Sequence, residues 1–106
     1  MPDYRILRHP AVRRDLFDIV DLVANYAGVE TAHRKLVEIE ATIALLAQTP
    51  HIGSIRGEIA PDPRAIPAGR KGVVCFVVDD DAREVRTVAI GYAGREWDLR
   101  ARDRSG

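Results

Sequence analysis

The chain has 106 residues, which is enough for one domain and too few for two. Apolar residues make up 46% and charged residues 30%, a composition that is typical of globular proteins and excludes a disordered chain. The 16 basic and 16 acidic residues cancel, which excludes a uniformly basic surface for binding nucleic acid.

The first half of the chain predicts a strand followed by a helix. Residues 4–8 read as a short strand, and Pro10 suits the first turn of a helix because its missing N–H would be unpaired there. Apolar residues then recur at helical spacing up to Tyr26 or Ala27. The polar residues lie mainly on the other sides of this helix: Arg13, Arg14, Asp15, Asp18, Asp21 and Asn25.

A second helix is predicted almost at once. Gly28 suits the left-handed position that ends the first helix, and Thr31 can cap the second. Apolar residues mark one stripe of the second helix as far as Leu46, and Pro50 ends the helical region. So short a connection predicts two antiparallel helices, a helical hairpin.

The second half predicts strands. Residues 54–63 read as irregular, 64–67 as a short edge strand and 73–78 as a central buried strand. The acidic run 79–81 is a turn, and 85–92 is a last strand in which residues 85, 87, 89 and 91 alternate strictly with 86, 88, 90 and 92. We expect the core to contain ten residues: Leu16, Ile19, Val23, Ile39, Ile43, Leu46, Val73, Val74, Phe76 and Val78.

This order of elements predicts an α+β fold. An N-terminal strand and an antiparallel helical hairpin precede a C-terminal antiparallel sheet of two to three strands, with the hairpin on one face. The first strand returns beside the others only through the hairpin. We expect one domain over residues 1–98 and a charged, frayed tail over 99–106.

Most motifs that suggest chemistry have simpler structural explanations. His9, His33 and His51 lack the spacing of metal ligands, and the run 79–81 lacks the alternating ligands of a calcium loop. Cys75 lies in an apolar run and should be buried and inert. The stretch 69–72 resembles a phosphate loop but precedes a strand rather than a helix. We therefore predict no metal and no cofactor.

One group of residues keeps a functional interpretation open. If the strands are antiparallel neighbours, several of its members converge at one end of the sheet: Arg64, Arg70, Lys71, Tyr92, Arg95 and Trp97. Arginines beside a tyrosine suit RNA phosphates or an acidic peptide. A sheet edge that carries charge to prevent aggregation explains the same residues, and from the pattern alone this second explanation is slightly preferred.

Several segments, taken in order, carry a family resemblance. In the helical half they are His9-Pro10-Ala11, then Asp15-Leu16 followed by Ile19, and then Ala44 and Leu46 followed by the stretch 48–53. In the strand half they are the stretch 64–70, the strand 73–78 and the stretch 90–97. In this order and spacing, the chain resembles ParE toxins of the RelE/ParE superfamily over nearly its whole length. Phe76 stands where that family often has tyrosine, and Tyr92 where it often has histidine.

The resemblance implies the toxin of a type II toxin–antitoxin system. It implies an antitoxin that forms a hetero-oligomer with the toxin, with a ribbon-helix-helix or similar DNA-binding dimer and a C-terminal segment that wraps the toxin. ParE-like toxins inhibit DNA gyrase by binding and without catalysis. On this resemblance, we expect Arg95, Trp97 and Arg100 to contact the target. We assign antitoxin binding to Arg64, Arg70 and Tyr92, and expect no direct specific DNA binding without the antitoxin.

Two alternatives remain. RelE-like relatives cut messenger RNA in the ribosome, and a nuclease here would use Arg70, Lys71, Tyr92 and Arg95. The RelE-type lysine set is missing, because Lys71 is the single lysine on the sheet side, and this favours ParE. The other alternative is a diverged module that only binds its antitoxin.

The cysteine content and the N-terminus give an expectation about location. A single cysteine permits no intramolecular disulfide, the first residues are polar, and no run approaches the ~20 apolar residues of a membrane span. We therefore expect a cytoplasmic protein without a membrane partner.

Overall fold

The computed structural model describes residues 3–52, the backbone of 54–55, residues 63–93 and Arg104. Its elements in chain order are β1 (Arg5–Arg8), α1 (Val12–Ala27), α2 (Val29–Leu45), β2 (Ser54–Ile55), β3 (Arg64–Ala68), β4 (Gly72–Asp79) and β5 (Glu84–Tyr92). The predicted α+β fold is confirmed: a strand and two helices precede a C-terminal antiparallel sheet. The two-residue strand β2 falls in the stretch that we predicted to be irregular.

The described strands form one sheet in the order β1-β5-β4-β3-β2. Strands β2 to β5 pair antiparallel with their neighbours, whereas β1 lies parallel to β5, with Arg5 opposite Glu84. A parallel pair needs a crossover connection, and the helical hairpin is the first part of that connection. The hairpin packs on the sheet through contacts of α1 with β5 and of α2 with β3 and β4.

The helix ends differ from the sequence prediction. α1 begins at Val12, after a turn in which His9 accepts two backbone hydrogen bonds, from the Ala11 N–H at Nδ1 (3.0 Å) and from the Val12 N–H at its carbonyl (2.9 Å). Gly28 has the expected positive φ of 96°, but its ψ of 161° is extended rather than left-handed helical. Gly28 therefore ends α1 and also starts α2. Thr31, predicted as the cap, lies in the first turn of α2.

The core lies between the hairpin and one face of the sheet. Eight of the ten predicted core residues are buried, and Val73 and Val78 are half-buried. Val74 and Phe76 pack against the helices, whereas Cys75, between them, belongs to a second small cluster with Val88 and Ala89. Alternating residues of β4 thus face opposite sides of the sheet, and the described helices pack on only one of them.

A β-bulge changes the pattern of the last strand. Phe76 pairs with Thr87 and Cys75 pairs with Ala89, so Val88 is an extra residue in β5. Val85 and Ile90 consequently belong to the same core cluster, although strict alternation would place them on opposite faces. The predicted alternation over residues 85–92 is wrong for this reason.

Candidate functional site

The structure brings some of the predicted site residues together and separates one of them. Arg70 and Lys71 lie exposed in the turn between β3 and β4, and Tyr92 pairs with Gly72 at the same end of the sheet. Arg64 is the first residue of β3, and Ala68, at the end of β3 next to Arg70, is four residues further along the strand. Arg64 is therefore separated from that end of the sheet by roughly 13 Å. Its Nη1 donates to the carbonyl of His51 at 3.1 Å. The remaining predicted residues, Arg95, Trp97 and Arg100, lie outside the described residues.

Tyr92 is buried on the helix side of the sheet. Its side chain is 4% exposed, and its hydroxyl shares a hydrogen bond of 2.9 Å with the hydroxyl of Tyr26 on α1. Lys35 Nζ lies 5.7 Å from the centre of the Tyr92 ring, within the range of a cation–π contact. The hydrogen bond to Tyr26, followed by burial, raises the pKa of Tyr92 from 10.0 to about 12. Tyr92 is therefore a packed and hydrogen-bonded residue.

Two charged residues of α2 complete this group. Lys35 Nζ contacts Glu38 Oε1 at 2.7 Å, and the Glu38 carboxylate lies against Gly69, where a Cβ would collide with it. Gly69 also has a positive φ of 74°, which disfavours other residues. We call these five residues the turn cluster: Tyr26, Lys35, Glu38, Gly69 and Tyr92. A lysine and a glutamate three positions apart are common on an exposed helix, so the sequence did not reveal this group.

A buried ion pair joins α1 to β5 and to the C-terminal region. The Asp15 carboxylate is 2% exposed and accepts a hydrogen bond from the Ile90 N–H at 3.0 Å. Arg104 donates to both carboxylate oxygens, at 2.6 and 3.2 Å, and its Nη1 also donates to the Val88 carbonyl at 3.0 Å. We call this group the α1 junction.

Asp15 is buried, so the prediction that it lies on the polar side of α1 is wrong. Asp15 stands three residues after Val12 and four before Ile19, both of which are buried, so it lies in the apolar stripe. A carboxylate at such a position predicts a buried cationic partner. Nothing in the sequence singles out Arg104 as that partner among the arginines near the C-terminus.

A second polar group lies at the opposite end of the sheet. The Tyr4 hydroxyl donates to Asp80 Oδ1 at 2.7 Å, and His51 Nε2 lies 2.8 Å from the same oxygen. The hydrogen bond raises the pKa of Tyr4 and lowers the pKa of Asp80. Arg83 lies 5.6 Å from the centre of the Tyr4 ring. We call Tyr4, His51, Asp80 and Arg83 the far cluster.

The outer face of the hairpin carries exposed apolar surface. Phe17 and Val29 are 65% and 77% exposed. They line a groove of about 310 Å³ between α1 and α2, together with Val20, Ala24, Ala32 and Leu36. Phe17 also borders a neighbouring groove beside Arg13 and Arg14. An apolar groove that ends beside two arginines has the character of a protein-binding surface.

No helix within the described ranges is long and apolar enough to cross a membrane. Among the same residues, no group of three or more histidine, cysteine or acidic side chains is arranged to hold a metal ion.

Comparison with known proteins identifies the fold and the family of the chain. A search of curated proteins found no significant match. Among solved structures, the fold is similar to a chromosomal ParDE toxin–antitoxin system from P. aeruginosa, at 20% identity and a TM-score of 0.73, over 87% of this chain and 98% of that one. It is also similar to the E. coli toxin RelE in the free state, at 13% identity and a TM-score of 0.65, over 97% of this chain and 94% of that one. The family of ParE toxins of type II toxin–antitoxin systems matches residues 6–97, and the chain belongs to that family.

Proposed function

We propose that this ParE-type toxin inhibits DNA gyrase by binding it, and that a cognate antitoxin neutralises the toxin. The burial and hydrogen bonding of Tyr92 support a binding mechanism rather than a nuclease. A general acid must reach the reacting group of its substrate within hydrogen-bond distance. The Tyr92 hydroxyl is instead buried on the helix side and shared with Tyr26, with a pKa raised to about 12.

In this proposal the contacts with gyrase come from Arg95, Trp97 and Arg100. An aromatic side chain flanked by arginines is the composition of an interface anchor. Arg70 and Lys71 are exposed at the end of the sheet where β5 ends, and we propose that they add positive charge to this contact. Both proposed partners, gyrase and antitoxin, place the protein in the cytoplasm.

The antitoxin is proposed to lay an amphipathic helix in the groove of the hairpin. Phe17 and Val29 offer the apolar contact, and Arg13 and Arg14 at one end favour acidic residues in the partner. A neighbour of similar fold is a toxin–antitoxin system, which supports a partner of this kind. Arg64 and Arg70 remain proposed contacts with the antitoxin. Because Tyr92 is buried, we propose that it contributes indirectly, by supporting the turn that contains Arg70.

The test is a DNA supercoiling assay with purified gyrase and the purified toxin. Wild type and Tyr92→Phe are expected to inhibit supercoiling equally, because the variant keeps the ring and loses only the hydroxyl. A variant with alanine at positions 95, 97 and 100 should lose inhibition while still binding antitoxin. Ribosome-dependent cleavage of messenger RNA that falls ~10²-fold or more in Tyr92→Phe would instead establish the nuclease. If the toxin binds antitoxin but neither inhibits gyrase nor cleaves messenger RNA, the diverged module that only binds its antitoxin is the remaining alternative.

A further inference from the structure

The turn between β3 and β4 carries two neighbouring positive charges. Ala68 pairs with Gly72, so only residues 69–71 form the turn, and the side chains of Arg70 and Lys71 are exposed. The ion pairs within residues 3–52 and 63–93 and with Arg104 involve neither of these two side chains. Two adjacent cations of this kind favour the carboxylates of a partner.

The backbone of this turn is held on two sides. On the β5 side, the Lys71 carbonyl accepts a hydrogen bond from the Ala93 N–H at 2.9 Å. On the α2 side, the Glu38 carboxylate lies so close to Gly69 that no Cβ would fit between them. The positive φ of Gly69 also favours glycine, so both the shape of the turn and its approach to α2 depend on the absence of a side chain there.

Glu38 is itself held in place by Lys35. Lys35 Nζ contacts Glu38 Oε1 at 2.7 Å and lies 5.7 Å from the centre of the Tyr92 ring. The Lys35 side chain is only 15% exposed, so this ion pair is partly shielded from water and salt. Tyr92 is in turn hydrogen-bonded to Tyr26 on α1. The interactions therefore link both helices, through Lys35 and Glu38, to the turn.

We propose that Glu38 is a positioning residue that fixes the β3–β4 turn to α2 and thereby presents Arg70 and Lys71 to acidic side chains of the antitoxin. The proposal rests on the proposed function, in which Arg70 contacts the antitoxin. A turn whose conformation is already fixed loses less entropy on binding, which strengthens binding without a new contact. The negative charge of Glu38 acts in the opposite direction, because it weakens the attraction of the turn for an acidic partner.

Two variants of Glu38 separate its contact from its charge. Glu38→Ala removes both, whereas Glu38→Gln removes the charge but keeps a side chain of the same size, whose amide oxygen still accepts a hydrogen bond from Lys35. Isothermal titration calorimetry with the full-length toxin and its antitoxin should show affinity about threefold to tenfold weaker in Glu38→Ala, because a loosened turn must be ordered on binding. Glu38→Gln should bind no more weakly than wild type.

Glu40→Ala is the matched control for this series. Glu40 lies on the same helix, its side chain is 41% exposed against 46% for Glu38, and it also forms one ion pair, with Arg8. Glu40→Ala therefore removes the same charge and a similar ion pair without touching the turn. We expect it to leave antitoxin affinity unchanged.

Two further measurements determine whether Glu38 acts through the turn. With Arg70→Gln and Lys71→Gln already in place, Glu38→Ala should weaken binding no further, because effects that pass through one interaction are not additive. In the free toxin, the NMR order parameters of the amides at 70 and 71 should fall from about 0.85 toward about 0.6 in Glu38→Ala, but not in Glu38→Gln or Glu40→Ala.

Affinity in Glu38→Ala that equals or exceeds that of wild type would overturn the proposal, because the charge of Glu38 would then outweigh its contact. Equal losses in Glu38→Ala and Glu38→Gln would overturn the contact with Gly69 as the cause. A further loss in the background without the two turn charges would overturn the route through the turn. If the wild-type toxin does not bind the antitoxin, that part of the proposed function fails, and the order parameters still decide whether Glu38 holds the turn.

Discussion

Tyr92 in the turn cluster and Tyr4 in the far cluster lie at opposite ends of the sheet and each hydrogen-bonds through the hydroxyl. Tyr92 is buried and bonded to another neutral phenol, whereas Tyr4 bonds to the carboxylate of Asp80 in a solvent-exposed group. In both cases the pKa of the tyrosine is raised. The contrast shows that shifts in the same direction have different consequences, because solvent screens the exposed contact of Tyr4 more than the part-buried contact of Tyr92.

The largest difference between the two ends is expected on removal of the Tyr92 ring. Tyr92→Ala deletes a side chain that packs in the main core, and such deletions cost about 3–5 kcal/mol. Chemical denaturation should show this loss in the free energy of unfolding. His51→Ala, which removes an exposed contact of the far cluster, is the control and should change it by less than about 1 kcal/mol. Equal losses would contradict the contrast.

Alkaline pH should weaken the turn cluster. The folded-state pKa of Tyr92 is raised to about 12, so the neutral phenol is favoured in the folded protein and its stabilisation is complete below pH 10. This stabilisation is lost as the pH rises from about 10 toward 12, and in total it amounts to about 2–3 kcal/mol. Spectrophotometric titration should show a tyrosine that ionises near pH 12, and this step should disappear in Tyr92→Phe. Absence of any tyrosine ionisation near pH 12 in the wild-type protein would refute the shift.

A smaller effect is expected when only the hydroxyls are removed. Tyr92→Phe breaks the part-buried hydrogen bond to Tyr26 and should cost about 1–2 kcal/mol, because the Tyr26 hydroxyl loses its protein partner. Tyr4→Phe should cost clearly less, since water replaces its contact with Asp80. The double variant Tyr26→Phe with Tyr92→Phe should recover part of the loss. A larger cost for Tyr4→Phe would reverse the ranking of the two ends.

The smallest effect is expected from acid on the far cluster. The hydrogen bond from Tyr4 lowers the pKa of Asp80, so its contribution is complete above the ordinary pKa of 3.8 and is lost as the pH falls through the folded-state value. Thermal melts of wild type and Asp80→Asn between pH 3 and pH 7 should therefore converge toward the acid end. The difference should shrink in high salt because the group is exposed. A difference that persists at the lowest pH would contradict the assignment.

The parts of the fold that follow from periodicity could be predicted from the sequence. The apolar stripes gave both helices, and the run that contains Val74 and Phe76 gave the central strand. The helical core face was recovered, including Leu16, Ile39 and Leu46. These features repeat over many residues, so each residue supports the same interpretation.

The parts of the site that depend on a single residue could not be predicted. One extra residue at Val88 reverses the faces of the last strand, and no composition marks the insertion. Arg64 lies at the other end of the sheet from Arg70 because a strand separates residues that are near in sequence. Arg104, which pairs with Asp15 in the α1 junction, is 89 residues away in the sequence, and no local pattern encodes a contact over that distance.

The parallel pairing of β1 with β5 has a consequence for the order in which the protein folds. β1 is the first and β5 the last of the described strands, and the contact of Arg5 with Glu84 spans 79 residues. The hairpin of α1 and α2 and the hairpins of β3, β4 and β5 involve near neighbours, and such local contacts form early. We expect β1 to dock last, after the rest of the sheet exists, because closing so long a loop costs entropy that only a formed β5 repays. An unfinished chain that ends before Glu84 has no strand to receive β1, so the complete sheet can form only after β5 has been synthesised.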